Sequence, residues 1–264
     1  MLFYALAASL GLYLLFLAAL YLFQRDLIYP APKRVSAIPA GYEKVLLTTA
    51  DELELTAAWR PAEAGRPTIV FFHGNGDSLP GAAVATQVLA DAGYGILLAD
   101  YRGYAGNPGA PSETGLLEDG RAAMRFLDSR GIKHDRRIIM GASLGGGVAV
   151  QMAAEQPCAA LVLVSTFTGL PDVAAAKLPW VPVRLLMKDR FDSQGTIPRV
   201  YAPVLVLHAA NDSLIPIAHG RTLVRAARTG TMREFADGGH ALQFTPEAQQ
   251  AVAAWLDQRL SVKP

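Results

Sequence analysis

Five short apolar runs constrain this chain more than anything else in it. They are "PTIVFFHG" (Pro67–Gly74), "GILLAD" (Gly95–Asp100), "RIIMGA" (Arg137–Ala142), "ALVLVS" (Ala160–Ser165) and "PVLVLHA" (Pro203–Ala209). None alternates apolar with polar, so each suits a strand buried on both faces, as in the centre of a parallel sheet. Helix-like stretches separate them. "SETGLLEDGRAAMRFLDSRG" opens at a capping serine, Ser112, and stops at Gly131. "TPEAQQAVAAWLDQRL" opens with Thr245 as cap and Pro246 at the first helical position. "GAAVATQVLADAG" reads as one further helix. In front, Lys44–Ala50 and Leu53–Trp59 flank Asp51-Glu52 as a hairpin. Alternating strands and helices with an edge hairpin predict a doubly wound α/β domain.

The chain has 264 residues, of which 52% are hydrophobic and 18% charged, above the apolar share of an average soluble domain. A formal charge of +1 gives no electrostatic footprint for nucleic acid. The single cysteine, Cys158, cannot form an internal disulfide, and no Cys/His cluster suggests a metal. Much of the apolar excess lies in "MLFYALAASLGLYLLFLAALYLF" (Met1–Phe23), which carries no charged side chain. As a helix it would span ~34 Å, enough for a bilayer core of ~30 Å. A cleaved signal peptide is the alternative, but it needs a basic start and a small-residue cleavage site, and neither is present. Residues 1–23 are therefore expected to be an uncleaved, single-pass membrane anchor. The cations Arg25, Lys33 and Arg34 all follow it, which favours the cytoplasmic side for the rest of the chain. Residues 24–42, with Pro30, Pro32 and Pro39, read as a semi-extended tether, and 43–264 as one folded domain. Within that domain, 166–201 has no clear strand and is too long for a plain connection, so a small helical insertion is expected. Its apolar residues, among them Leu178, Trp180, Val181 and Leu186, are expected to wall an acyl pocket.

Open α/β sheets bind ligands at the carboxyl ends of their strands. Ser143 follows one such strand and precedes a helix, within Gly141-Ala142-Ser143-Leu144-Gly145, a G-x-S-x-G spacing. A nucleophile on a strand-to-helix turn needs small neighbours, because side chains there would meet adjacent backbone. A serine nucleophile needs a base, and the base needs an orienting carboxylate, in the chain order serine, acid, histidine. His240 sits in "FADGGHALQF", a glycine-bearing loop off a strand end. His208 lies within a strand and His219 in the first turn of a helix, places that suit structural roles. Asp212, in "HAANDSLIP", falls just past a strand and is preferred to Asp189, Asp192 and Asp237, which lack that placement. A tetrahedral intermediate needs two preorganised N–H donors. Leu144, next after the serine, supplies one. Asn75 in "FFHGNGDS", between Gly74 and Gly76, supplies the other.

These residues resemble the α/β-hydrolase superfamily from about Tyr42 to Leu260. "QRDLIYPAP", "FFHGNG", "DYRGYAGNPGAPSETGL", "GASLGGGVA", "PVRLLMKDRFDS", "PVLVLHAANDSLIP" and "GGHALQF" resemble its membrane-anchored, Bem-like serine hydrolases. The resemblance implies the α/β-hydrolase fold, Ser143, Asp212 and His240 as a triad, and Asn75 and Leu144 as oxyanion donors. Asp100-Tyr101-Arg102-Gly103 resembles a structural element of that fold. One departure is His208-Ala209, where the family has His-Gly before the acid.

The expected activity is hydrolysis of a carboxylic ester or thioester through an acyl-enzyme, on a small-molecule or lipid substrate, with no metal or organic cofactor. A peptidase or acyltransferase would use the same three residues. A hydrolase fold acting only as a membrane-tethered binding protein is the reading from another class, and an intact serine, acid and histidine in order speaks against it.

Overall fold

A computed structural model describes residues 1–260, so the last four residues of the expected domain 43–264 lie outside the described residues. The chain opens with helix α1 (Leu2–Ile28), followed by the hairpin β1 (Glu43–Thr48) and β2 (Glu54–Arg60). Then come β3 (Thr68–Phe72), α2 (Leu79–Ala85), α3 (Gln87–Asp91), β4 (Gly95–Ala99), α4 (Glu113–Ser129), β5 (Arg137–Ala142), α5 (Leu144–Glu155) and β6 (Ala160–Val164). Three short helices follow, α6 (Leu170–Lys177), α7 (Val183–Leu186) and α8 (Ser193–Thr196). The chain closes with β7 (Val204–Ala209), α9 (Ala218–Ala226), β8 (Gly230–Phe235) and α10 (Pro246–Leu260).

The strands form one eight-stranded sheet in the order β1-β2-β4-β3-β5-β6-β7-β8. Only β2 runs antiparallel to its neighbours β1 and β4; the remaining pairs are parallel. This is the α/β-hydrolase fold. The five apolar runs are its five central strands, and every residue of β3, β4, β5, β6 and β7 is buried. Period-two alternation then divides each strand between two cores. Val70, Phe72, Leu97, Ile139, Leu163 and Val206 face Leu116, Met124 and Val148 of α4 and α5 and Leu223 of α9. Ile69, Phe71, Ile96, Leu98, Met140 and Val162 face Leu79, Leu89, Val252 and Leu256 of α2, α3 and α10.

Local signals account for the helix starts. The Ser112 hydroxyl accepts from the Gly115 amide at 3.1 Å and opens α4. The stretch read as one helix, "GAAVATQVLADAG", is two. Thr86 breaks it with φ −120° and ψ 9°, its hydroxyl bonded back to the Ala82 carbonyl at 2.9 Å.

The expected boundary between anchor and tether is corrected. Helix α1 continues past Phe23 to Ile28, since nothing in "QRDLI" breaks a helix, and it stops where Pro30 forbids the helical conformation at Tyr29. Nor are the first residues of 24–42 a free tether. Gln24, the one buried residue of α1, donates to the Leu186 carbonyl at 3.3 Å and accepts from the Lys188 amide at 2.7 Å. Arg25 grips Asp189 with two N–H donors at 3.1 and 3.2 Å, and the Tyr29 hydroxyl donates to the same carboxylate at 3.1 Å. Higher on α1, Phe16 stacks on Trp180 with ring centroids 5.3 Å apart. The helix is thus fastened to the segment that carries α6, α7 and α8.

Candidate active site

The carboxyl ends of β3, β5, β7 and β8 bring the predicted residues to one place. Ser143 occupies the turn between β5 and α5 with φ 49° and ψ −116°, a left-handed conformation that costs a non-glycine residue of order 1–3 kcal/mol. Its backbone is held from three sides. The Ser143 amide donates to Val164 O at 2.9 Å, and its carbonyl accepts from Gly146 N at 3.0 Å and from the Thr166 hydroxyl at 2.9 Å. The flanking glycines are obligatory here: a Cβ on Gly141 would overlap the Gly145 carbonyl, and one on Gly145 would overlap that of Phe72.

The Ser143 hydroxyl lies 2.9 Å from His240 Nε2. The other ring nitrogen, Nδ1, lies 2.9 Å from Asp212 Oδ2. A carboxylate only accepts, so Nδ1 carries the hydrogen and Nε2 is free to accept from Ser143. Asp212 is buried, and its second oxygen, Oδ1, accepts from the amides of Leu214 and Ile215, both at 2.9 Å. Those two bonds orient the carboxylate toward the imidazole. His240 reaches it because Gly238 and Gly239, at φ 114° and 55°, turn the chain sharply after β8, and the Gly239 amide donates to Asn211 Oδ1 at 2.8 Å.

Asn75 lies in the loop from β3 to α2, lining a cleft of about 370 Å³ with Ser143, His240, Gly76, Asp77, Leu214 and Phe244. Leu144 is the first residue of α5, and its side chain is buried. The first amides of a helix lack intrahelical partners, so the Leu144 N–H is free to serve a ligand.

The rival residues are occupied elsewhere. Asp192 caps α8 by accepting from Gly195 N at 2.9 Å, and Asp189 holds Arg25 and Tyr29. Asp237 accepts from Asn211 at 3.3 Å. His219 Nδ1 lies 2.9 Å from the Thr168 hydroxyl. His208 is fully buried beneath the site: Nε2 donates to the Ile215 carbonyl at 2.8 Å and lies 3.4 Å from Asp212 Oδ2, and burial holds its pKa below the ordinary imidazole value.

Two features escape sequence reasoning. A buried polar cluster lies under the Asn75 loop. His73 Nδ1 donates to Gly74 O at 2.8 Å, Nε2 meets Asp100 at 3.1 Å, and the Tyr101 hydroxyl donates to His73 O at 2.9 Å. Burial pulls the His73 pKa down, but the hydrogen bond and charge of Asp100 outweigh it, and the net shift is upward. The motif Asp100-Tyr101-Arg102-Gly103 was the only signal for this cluster. The second feature corrects the expected acyl pocket. The cleft beside Ser143 is not lined by 166–201. Leu178, Val181, Leu186 and Met187 instead line a separate apolar cavity of about 120 Å³ against Leu20, Leu27 and Ile28 of α1, because α1 supplies the apolar partner these side chains need.

A serine on a strained strand-to-helix turn, hydrogen-bonded to a histidine and through it to a buried aspartate, at the carboxyl end of such a sheet, defines an α/β hydrolase. Comparisons agree. A family model described as "Serine aminopeptidase, S33" matches residues 63–192. Protein bem46 of Schizosaccharomyces pombe is 30% identical over 81% of this chain and 78% of its own length. The lysophosphatidylserine lipase ABHD12 of Danio rerio is 30% identical over 70% of this chain and 52% of its own length. The esterase Pf2001 of Pyrococcus furiosus superposes with a TM-score of 0.71 over 87% of this chain and 97% of that one, a likeness of fold at 17% identity. The chain belongs to the α/β-hydrolase superfamily, in the branch that includes protein bem46, and is a hydrolase.

Proposed function

We propose that the protein is a membrane-anchored serine hydrolase that cleaves carboxylic esters or thioesters of acyl lipids or similar small molecules. The observation that carries this reading is the row Ser143–His240–Asp212, with both links at 2.9 Å, opening on a cleft. Ser143 Oγ attacks the carbonyl carbon while its proton passes to His240 Nε2. Asp212 fixes the tautomer and stabilises the imidazolium. The carbonyl oxygen takes the negative charge, and the amides of Asn75 and Leu144 bind it. Collapse of the tetrahedral species breaks the ester bond, His240 returns the proton to the departing alcohol or thiol, and the acyl group stays on Ser143. Water, deprotonated by His240, then attacks the acyl-enzyme and releases the acid.

The lipid part of the reading draws on the activity named for the lysophosphatidylserine lipase relative and on α1. That helix has a mean hydropathy of 2.2 over its most apolar stretch, and no residue of that stretch is buried. At 1.5 Å per residue its 27 residues span ~40 Å, more than a bilayer core. Its fastening through Gln24, Arg25 and Tyr29 supports a retained anchor over a cleaved signal, since cleavage would discard part of the domain's own packing. The cations that follow α1 support a cytoplasmic catalytic domain.

The test is fluorophosphonate labelling paired with Ser143→Ala. Labelling at Ser143 is expected, and its loss with a turnover drop of up to ~10⁶-fold in a folded variant. A label on another serine, or an active Ser143→Ala enzyme, would remove the assignment.

A further inference from the structure

The Asn75 side chain makes two hydrogen bonds, and neither is to the cleft it lines. Its Nδ2 donates to the carbonyl of Ile28, the last residue of α1, and its Oδ1 accepts from the Tyr104 hydroxyl at 2.5 Å. The final carbonyls of a helix have no partner within it, so Ile28 O is an acceptor that the fold leaves open. Tyr104 is fully buried, packed edge-on against Tyr101 at 5.5 Å and beside His73 at 5.9 Å, so its hydroxyl has a fixed position. The same few residues after α1 also hold the neighbouring loop, where the Ala105 amide donates to the Pro32 carbonyl at 2.7 Å. Upstream, α1 is itself held by Asp189 through Arg25 and Tyr29.

We infer that Tyr104 and the carboxyl-terminal end of α1 are positioning elements of the oxyanion site, clamping the Asn75 side chain from both ends so that its backbone N–H stays aimed at the substrate oxygen. This rests on the proposed serine mechanism. Asn75 stands in a loop flanked by two glycines, one of them at φ 73°, which gives that loop little stiffness of its own. A donor that wanders spends less time aligned with the developing oxyanion, and catalysis by preorganised donors depends on that alignment. The clamp stabilises the transition state and leaves binding of the neutral ester unchanged. Its loss therefore falls on kcat and not on KM. It also makes the seating of α1 a determinant of turnover, at a residue far from the lipid-facing part of the helix.

The experiment uses the full chain in detergent micelles with p-nitrophenyl butyrate, in Asn75→Ala, Tyr104→Phe and Asp189→Ala variants. Two inhibitors complete it: a trifluoromethyl ketone, which adds to Ser143 and places a charged oxygen at the oxyanion site, and the corresponding methyl ketone, which does not. Removing an oxyanion donor outright costs about 10²–10³ in kcat, so misaligning one should cost roughly tenfold. Tyr104→Phe and Asn75→Ala should lower kcat by about that factor at unchanged KM and weaken the trifluoromethyl ketone in step, with the methyl ketone unaffected. Asp189→Ala should show the same signature more weakly. Wild-type kcat in Tyr104→Phe would overturn the clamp, as would equal weakening of both ketones, which marks general damage. Wild-type kcat in Asp189→Ala alone would overturn the α1 arm. Absence of fluorophosphonate labelling at Ser143 in the unaltered protein would instead bring down the serine mechanism beneath it.

Discussion

Asp212 is held on both oxygens: two backbone amides donate to Oδ1, and Oδ2 meets the His240 ring at 2.9 Å with His208 Nε2 3.4 Å away. In Asp212→Asn the new amide would have to turn an N–H toward either the imidazole or the backbone amides, and either choice sets donor against donor. The shape is conserved and the tautomer of His240 is lost. We expect a folded variant with kcat lower by about 10⁴, checked by steady-state kinetics together with a thermal melt. His208, four residues before Asp212, carries a separate prediction. Burial lowers its folded-state pKa, so the unfolded chain binds a proton that the native one resists. Stability from this group is present above the ordinary imidazole value of about 6.5 and drains away as pH falls below it. Denaturant midpoints at pH 5.5 and 7.5 should differ less in His208→Asn than in the unaltered protein. An equal difference in both would show that other groups govern acid stability.

At the scale of elements, the loop after β4 is anchored to α4 by a buried ion pair. Arg102 Nε donates to Asp119 at 2.7 Å, and the Arg102 amide donates to the other carboxylate oxygen at 2.9 Å. Burial raises the Asp119 pKa to about 6, so the carboxylate depends on this partner to remain ionised in comfort. Arg102→Met would strand it, at a cost of about 3–5 kcal/mol, read as a lowered denaturation midpoint. This part of the fold was half legible. The motif Asp100-Tyr101-Arg102-Gly103 could be picked out, but not the residues it meets, because Asp119 shares no periodicity or spacing with it. The central strands were the opposite case. A strand buried on both faces has to be apolar throughout, so its composition alone gives it away. Ser143 and Asp212 could be picked out as candidates because each follows an apolar run that marks a strand, and His240 because it stands in a glycine-bearing loop downstream of both. Thr86, which splits α2 from α3, was hidden because a back-bonded threonine has the same composition as a helical one. The role of 166–201 was misread for a related reason. Apolar residues show that something must cover them and not what does. The pairs that decide it, such as Gln24 with Leu186 and Arg25 with Asp189, are more than 160 residues apart in sequence.

Across the whole molecule, the fastening of α1 divides the helix into two parts with different consequences for truncation. Met1–Phe23 supplies most of the exposed apolar surface together with the Tyr13 and Phe16 contacts to Trp180, whereas Gln24, Arg25 and Tyr29 supply the bonds to Leu186–Asp189. Deletion of residues 1–23 should release a soluble domain that keeps most of its turnover with a short-chain ester. Deletion of residues 1–32 should lower kcat further, since Ile28 O and Pro32 O go with it. Fractionation and kinetics on the two proteins check this, and equal activity in both would separate the end of α1 from catalysis.

A stalk that is bolted on rather than hinged gives the domain a fixed tilt against the helix axis. Were α1 to stand in a bilayer as proposed, the domain would turn about the helix axis and drift in the plane with little freedom to nod. The mouth beside Ser143 would then sweep a single altitude above the lipid surface, like a reading head over a disc. Molecules whose ester groups sit at that altitude would be searched in two dimensions, while those that float higher or lie deeper would pass unread. Selection by depth would thus act before any side chain in the cleft makes contact.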